Sequence, residues 1–182
     1  PRQWHLFAVD IETGEIRRLG RDVGGDHLAL LAPGGRFVLD TWSSLDTPQR
    51  ADLVDTGSGD VIREVWRSGA ELAGWDLLPL ETGTMTTDDG VELHTLLIRP
   101  RDFDPAAKYP VVHYVYGGPH SQLTSDTWGD SIHHTYRIIA EMGVGVFLVD
   151  NRGTWGRGHA FETAVHRRLG QSDGEDQVAA AR

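Results

Sequence analysis

Two apolar runs rich in β-branched residues, at 111–116 and 144–149, dominate the hydrophobic pattern in the second half of the chain. Short runs without alternating polar positions are typical of strands buried on both faces of a parallel sheet. The first run leads directly into the Gly-Gly-Pro turn at 117–119. We therefore predict a central strand at 111–116 that places Tyr116 at the carboxyl edge of a sheet, where α/β proteins bind their ligands.

A helix is predicted between these two strands. Ile132, Tyr136 and Ile139 recur at helical spacing, and Gly143 supplies a stop signal. We therefore predict a helix over 128–142. The order of strand, helix and strand is the crossover pattern of a parallel α/β sheet, of which the chain would contain only part.

Short strands and turns fill the rest of the chain. Three hairpins are predicted before residue 67, with turns at 12–15, 32–35 and 56–59. The pattern around the first turn recurs around the third, about 45 residues later, which is the spacing of β-propeller blades. A fourth hairpin is predicted at 85–98, around an Asp-Gly turn.

Composition and charge exclude several classes of function. The chain has 182 residues, with 17 Lys and Arg against 27 Asp and Glu, and a net charge of −10. This acidic balance argues against a nucleic-acid partner and an anionic membrane. The absence of cysteine excludes disulfides, a thiol nucleophile and a cysteine-type zinc site. No apolar run reaches the ~18 residues of a membrane span, so no membrane segment is predicted.

Three motifs, in this order and spacing, resemble the prolyl oligopeptidase family of serine peptidases, and most of all its dipeptidyl peptidase IV branch. They are Tyr-Val-Tyr-Gly-Gly-Pro at 114–119, Asp-Asn-Arg-Gly-Thr-Trp-Gly-Arg-Gly at 150–158, and Arg-Arg-Leu-Gly followed by Glu-Asp-Gln within 167–177. The combination makes the resemblance specific, whereas Gly-Gly-Pro alone would carry little weight.

The resemblance implies the end of a β-propeller followed by the N-terminal part of an α/β-hydrolase domain, with an incomplete parallel sheet and helices. On this basis, residues 1–67 are the last propeller blade or blades, in part. Residues 68–83 cross between the domains, and residues 84–182 begin the peptidase domain. Because the chain starts at Pro1 and stops within a predicted helix, we expect it to be part of a longer protein, and poorly stable alone.

Tyr116 is the predicted catalytic residue of this chain. By resemblance, it aligns with the tyrosine whose hydroxyl donates an oxyanion-hole hydrogen bond in this branch. A preorganised donor aimed at the developing negative charge contributes about 3 kcal/mol or more in a desolvated site. The residues alone leave open a second interpretation, a core tyrosine with a satisfied hydroxyl, as also expected for Tyr114.

A literal nucleophile-elbow pattern, G-x-S-x-G, occurs at 170–174 and contains Ser172. The motif requires a buried strand before the serine and a helix after it. The preceding stretch, 161–169, is polar and helical in character, so we interpret the pattern as a chance match and Ser172 as not the nucleophile. The resemblance instead implies that the catalytic Ser, Asp and His lie beyond Arg182. A small hydrolase that uses Ser172 as its nucleophile is the alternative.

Neither a metal nor another cofactor is predicted. The nine histidines, including His133 and His134, show no metal-ligand spacing with a carboxylate. Arg152 follows the second predicted strand, and we expect it to brace the loop by pairing with a carboxylate. The pair of glutamates that binds the substrate amine in dipeptidyl peptidases would lie in an earlier part of the propeller.

Taken with the resemblance, the sequence predicts part of a serine exopeptidase that releases N-terminal dipeptides, with Pro or Ala at the second position, through an acyl-enzyme. Its partner would be a peptide substrate, and the resemblance implies that the full-length protein can form a homodimer. Three alternatives stay open: an acylaminoacyl peptidase or oligopeptidase of the same family, a non-catalytic module, and a small hydrolase that uses Ser172.

Overall fold

The strands predicted for the first part of the chain form two antiparallel sheets in the computed structural model, which describes residues 2–72, 74–129 and 131–182. A two-stranded sheet contains β1 (Leu6–Val9) and β2 (Ile16–Leu19). A four-stranded sheet follows the chain order β3 (Asp26–Leu31), β4 (Phe37–Ser44), β5 (Thr47–Asp55) and β6 (Val61–Arg67).

Two of the predicted turns share one local structure. Asp10 Oδ1 accepts hydrogen bonds from the N–H groups of the second and third residues after it, at 2.9 and 2.8 Å. Asp55 Oδ1 does the same at 2.8 and 3.1 Å. These backbone donors lower the pKa of both carboxyls. Gly14 and Gly59 close the turns at φ values of 75° and 86°, so the sequence repeat is also a structural repeat.

The hairpin between β4 and β5 was not predicted. Its turn at Leu45 and Asp46 carries no Gly, and Pro48 is the second residue of β5. A register shift lies between Trp42 and Ser44. Pro cannot donate a ladder hydrogen bond, so the residues around Pro48 do not look like the start of an inner strand. The hairpin was missed for this reason.

A polar cluster lies inside the first unit. His27 Nδ1 contacts Asp40 Oδ2 at 2.9 Å, and both side chains are buried. The buried carboxylate of Asp52 accepts hydrogen bonds from Arg21 Nε at 2.7 Å and from Trp42 Nε1 at 2.9 Å. Burial opposes ionisation of Asp52, but these two donors outweigh it and lower its pKa.

A mixed four-stranded sheet organises the second part of the chain. Its strands are β7 (Glu81–Thr86), β8 (Glu92–Ile98), β9 (Val111–Tyr114) and β10 (Gly145–Asp150), in the spatial order β7-β8-β10-β9. The pairs β7–β8 and β8–β10 are antiparallel, and β9–β10 is parallel. The predicted parallel sheet is therefore correct only for β9 and β10, which the predicted helix connects.

The prediction that 111–116 is a central strand buried on both faces is wrong. Strand β9 ends at Tyr114 and lies at one edge of the described sheet. Val111 and Val112 are 60% and 40% exposed. Strand β10 is one of the two inner strands of this sheet, and its Val146, Leu148 and Val149 are buried.

The predicted helix over 128–142 is α1 (Ser131–Glu141), and Asp130 lies outside the described residues. Gly143 ends it with φ 85°, its N–H donating to the Ala140 carbonyl. Its buried face differs from the predicted apolar stripe, since two polar residues belong to it. That face contains His133, Tyr136, Arg137 and Ala140.

Two further helices follow β10, α2 (His159–Glu162) and α3 (Ser172–Ala180). None of the helices in the described part of the chain has the length and hydrophobicity needed to cross a membrane.

Residue contacts divide the chain into two units. The first contains Pro1–Trp75 and Ser125–Trp128, and the second contains Asp76–Thr124 and Gly129–Arg182. Within the first unit, Asp126 accepts hydrogen bonds from Gln3 Nε2 at 2.7 Å and from the Leu45 N–H at 2.9 Å. The sequence did not predict that residues 125–128 belong to this unit.

Candidate functional site

Tyr116 lies two residues beyond the end of β9, at the carboxyl edge of the second unit's sheet. It is 57% exposed, so it is not a core tyrosine. Tyr114, within β9, is half-buried, and its ring packs against that of Tyr136 with centroids 5.3 Å apart. The two tyrosines therefore differ in environment: Tyr114 is half-buried within the strand, and Tyr116 is exposed beyond it.

The two glycines after Tyr116 allow this placement. Gly117 has φ 73°, in the left-handed region that favours glycine. A Cβ at Gly118 would lie 2.8 Å from Tyr116 Cε1, so the phenol ring occupies the space that a side chain would take. The missing Cβ of Gly118 thus sets how the ring of Tyr116 lies against the turn.

The loop after the turn is hydrogen-bonded to the end of β10. The His120 N–H donates to the Gly153 carbonyl at 3.2 Å. Asp150 Oδ1 accepts from the Leu123 N–H at 2.7 Å, and Asp150 Oδ2 accepts from the hydroxyl of Thr124 at 2.6 Å and from its N–H at 3.3 Å. Burial raises the pKa of Asp150, and the three donors act against that rise.

Arg152 braces the loop after β10 through carboxylates, as predicted. Its Nη2 lies 2.6 Å from Asp176 Oδ1, and its own N–H donates to Asp176 Oδ2 at 2.8 Å. Its Nη1 lies 2.7 Å from Asp89 Oδ2, in the turn of the β7–β8 hairpin. Hydrogen bonds from the Thr87 hydroxyl and from Arg152 lower the pKa of Asp89.

The Glu-Asp-Gln motif at 175–177 anchors α3 to the end of β10. Besides Asp176, Gln177 Nε2 donates to the Val149 carbonyl at 3.1 Å and to Asn151 Oδ1 at 2.8 Å. Sequence reasoning recognised this motif by resemblance but did not assign it this role. The sequence did show an acid and an amide, Asp176 and Gln177, on a helix that follows Arg152. These side chains can pair with an arginine and a strand end, but many sequences contain such residues, so the signal was not specific.

Ser172 is the first residue of α3, and the elbow-like pattern around it lacks the required context. In the described chain, the strand that precedes it is β10, which ends at Asp150, and the intervening residues form short helical turns. Arg167 and Gly170 adopt φ 57° and 84° just before it. The geometry is therefore not a strand–turn–helix elbow.

Among the surface cavities lined by described residues of the second unit, two adjoin the sequence motifs. One of about 780 Å³ is bordered by Asp88, Asp89, Arg152 and Glu175, among other residues. The other, of about 470 Å³, adjoins the Gly-Gly-Pro turn, and its lining includes Pro119, His120, His159, Glu162, His166 and Arg167. Among the described residues, no group of three or more His, Cys, Asp or Glu is arranged to hold a metal ion.

Similarity to known proteins agrees with this architecture. Residues 130–182 match the prolyl oligopeptidase family, and the chain belongs to that family. Human dipeptidyl peptidase 8 is 30% identical over 98% of this chain and 21% of that protein. The chain thus spans about a fifth of the length of the curated relatives that it matches.

Solved structures of two bacterial proteins share the fold. The dipeptidyl peptidase 4 of Porphyromonas gingivalis superposes with a TM-score of 0.89 and 29% identity, over 97% of this chain and 25% of that one. A protein from Bacteroides ovatus assigned as a dipeptidyl aminopeptidase IV superposes with a TM-score of 0.85 and 36% identity. The match covers 96% of this chain and 25% of that one. The family resemblance inferred from the three motifs is therefore confirmed.

Proposed function

We propose that this chain is a segment of a serine exopeptidase that releases N-terminal dipeptides, with Pro or Ala at the second position. Within it, Tyr116 donates the hydrogen bond that stabilises the oxyanion. The observation that carries the proposal is the placement of Tyr116, exposed beyond the carboxyl end of β9. That position is where α/β sheets carry their catalytic groups, and the similarity to dipeptidyl peptidases supplies the reaction class.

In the proposed reaction, a serine hydroxyl attacks the carbonyl carbon of the second residue and passes its proton to a histidine. The carbonyl oxygen becomes negatively charged, and the hydroxyl of Tyr116 donates a hydrogen bond to it. The histidine then protonates the leaving amine, and water hydrolyses the resulting ester by the same steps. The serine, histidine and aspartate would be supplied by chain beyond Arg182.

The two units fit a propeller end and the start of a hydrolase domain. We assign residues 1–67 to the last blade or blades of a β-propeller, residues 68–83 to the crossing, and residues 84–182 to the beginning of the peptidase domain. The antiparallel order β3-β4-β5-β6 supports the blade, since propeller blades are four-stranded antiparallel sheets. The parallel pair β9–β10, joined through α1, supports the hydrolase assignment.

The test uses the full-length protein encoded by the reading frame that contains these residues. It is assayed on Ala-Pro and Ala-Ala anilides with a free amino terminus, and on the same compounds with an acetylated one. We expect hydrolysis of the free-amine substrates only. Release of the aniline from the acetylated compounds would instead indicate an oligopeptidase, and release of acetylalanine from them would indicate an acylaminoacyl peptidase. Cleavage of none of the compounds would support a non-catalytic module.

A fluorophosphonate probe locates the nucleophile in the same protein. Labelling followed by peptide mapping is expected to modify a serine outside residues 1–182. The matched control is Ser172→Ala, which should label as strongly as the wild type. Modification of Ser172 itself would contradict the proposed location of the nucleophile.

A further inference from the structure

The segment that carries Tyr116 is hydrogen-bonded through its later residues, 120–124, to the end of β10 and the loop after it. It leaves β9 after Tyr114, passes through the Gly-Gly-Pro turn, and meets the end of β10 at residues 120–124. Tyr116 is 57% exposed, and its ring lies against Gly118 of the same turn. Its position therefore depends on where the backbone of the turn lies.

Asp150 accepts three of the hydrogen bonds that fix this segment. It is 2% exposed and is the last residue of β10, an inner strand of the described sheet. Its two oxygens accept three hydrogen bonds, one from the Leu123 N–H and two from Thr124. Thr124 is completely buried, so both partners are held in the interior.

A carboxylate suits this arrangement better than an amide of the same shape. All three groups that face Asp150 are donors, and an ionised carboxylate offers acceptors on both oxygens. Asparagine would keep one acceptor and turn an NH₂ group toward the remaining donors. A substitution of almost unchanged volume should therefore shift residues 123–124, and the turn with them.

We propose that Asp150 is a positioning residue for Tyr116, which it aligns with the oxyanion by fixing residues 123–124 at the end of the turn. This inference rests on the proposed function, because it assumes that the Tyr116 hydroxyl acts in catalysis. Asp150 itself touches neither the substrate nor the reacting atoms. Its effect on the reaction passes through Tyr116.

A double-mutant cycle in the full-length protein tests this dependence. Asp150→Asn is expected to lower kcat on a free-amine dipeptidyl anilide by about 10-fold or more, with KM nearly unchanged, because small misplacements of catalytic groups have effects of that size. In the Tyr116→Phe background, the same substitution should lower kcat by less than about twofold. A merely structural role would give the same factor in both backgrounds, and that result would overturn the inference.

Matched variants separate positioning from general loss of structure. Thr124→Val removes one donor to Asp150 and should reproduce the kcat loss, whereas Thr124→Ser keeps the hydroxyl and should restore most of the activity. Asp173→Asn is the control, since Asp173 is also a buried carboxyl but accepts the Gly170 N–H away from the turn. It should give equal factors in both backgrounds.

The outcomes also distinguish this inference from the proposed function. If Tyr116→Phe alone leaves kcat unchanged, the oxyanion role of Tyr116 is wrong, and the positioning role of Asp150 is wrong with it. If Tyr116→Phe lowers kcat strongly and Asp150→Asn lowers it by an equal factor in both backgrounds, only the positioning role is wrong.

Discussion

Asp176 accepts both the main-chain N–H and the guanidinium of Arg152, so one carboxylate of α3 fixes the second residue after β10. The carboxylate is fully buried, and the side chain of Arg152 is 17% exposed. Burying two charges costs desolvation free energy, so such a pair stabilises the fold only when its hydrogen-bond geometry is good. Removing one partner leaves the other charge buried and unpaired.

Asp176→Ala should therefore destabilise the loop after β10 by about 3 kcal/mol. Hydrogen exchange of the amides at 150–158 in the full-length protein measures this local opening, and a change of this size is about 100-fold in exchange rate. Glu141→Gln serves as the control because it breaks an exposed ion pair with Arg101. Equal effects of the two substitutions on these amides would contradict a structural role for Asp176.

The polar cluster of the first unit should make the stability of that unit depend on pH in the acidic range. The pKa of Asp52 is lowered in the folded state, so its ionised form stabilises the fold above the unfolded pKa of about 3.9. That stabilisation is lost as the pH falls through the folded pKa. The melting temperature of Asp52→Asn should lie below that of the wild type at pH ~7, and the difference should shrink toward pH ~2.

Arg21→Gln provides the matched variant for the same measurement. It removes the guanidinium that lies 2.7 Å from Asp52 Oδ2, and its melting temperature should converge with the wild type over the same acidic range. A difference that stays constant from pH ~7 to pH ~2 would show that ionisation of Asp52 does not stabilise the unit.

Gly118→Ala should impair catalysis without unfolding the protein. The new Cβ would lie 2.8 Å from the ring of Tyr116, and the exposed phenol can rotate away from it. We expect kcat to fall by about 10-fold or more, with an unchanged melting temperature. Gly174→Ala is the control, since a Cβ there meets open space within α3 and should preserve kcat. Wild-type kcat in Gly118→Ala would show that the ring position is not critical.

Local patterns predicted most of the elements. The turns at 12–15 and 56–59 were predicted because the residues that form them lie close together in sequence, and β10 was predicted from its own apolar run. Which strands pair with each other was harder to predict, because the partners are far apart in sequence. The apolar composition of β9 resembles that of β10, and only its place at the edge of the described sheet explains its exposure.

The contacts around the candidate site were less predictable than its motifs. Tyr116 and Arg152 were selected by their motifs, and the carboxylate pairing of Arg152 is confirmed. Asp150 was named only as the first residue of the motif at 150–158, because its partners, Leu123 and Thr124, precede it by more than 25 residues. The His27–Asp40 contact was missed for the same reason, since its members stand on different strands.

The most direct test of the account is kcat of the full-length protein carrying Tyr116→Phe, measured on an Ala-Pro anilide. The account predicts a loss of at least about 100-fold, the typical cost of removing one oxyanion donor, with an unchanged melting temperature. Tyr114→Phe, two residues earlier in β9, should retain wild-type kcat. A Tyr116→Phe variant with kcat within twofold of the wild type would contradict the central claim.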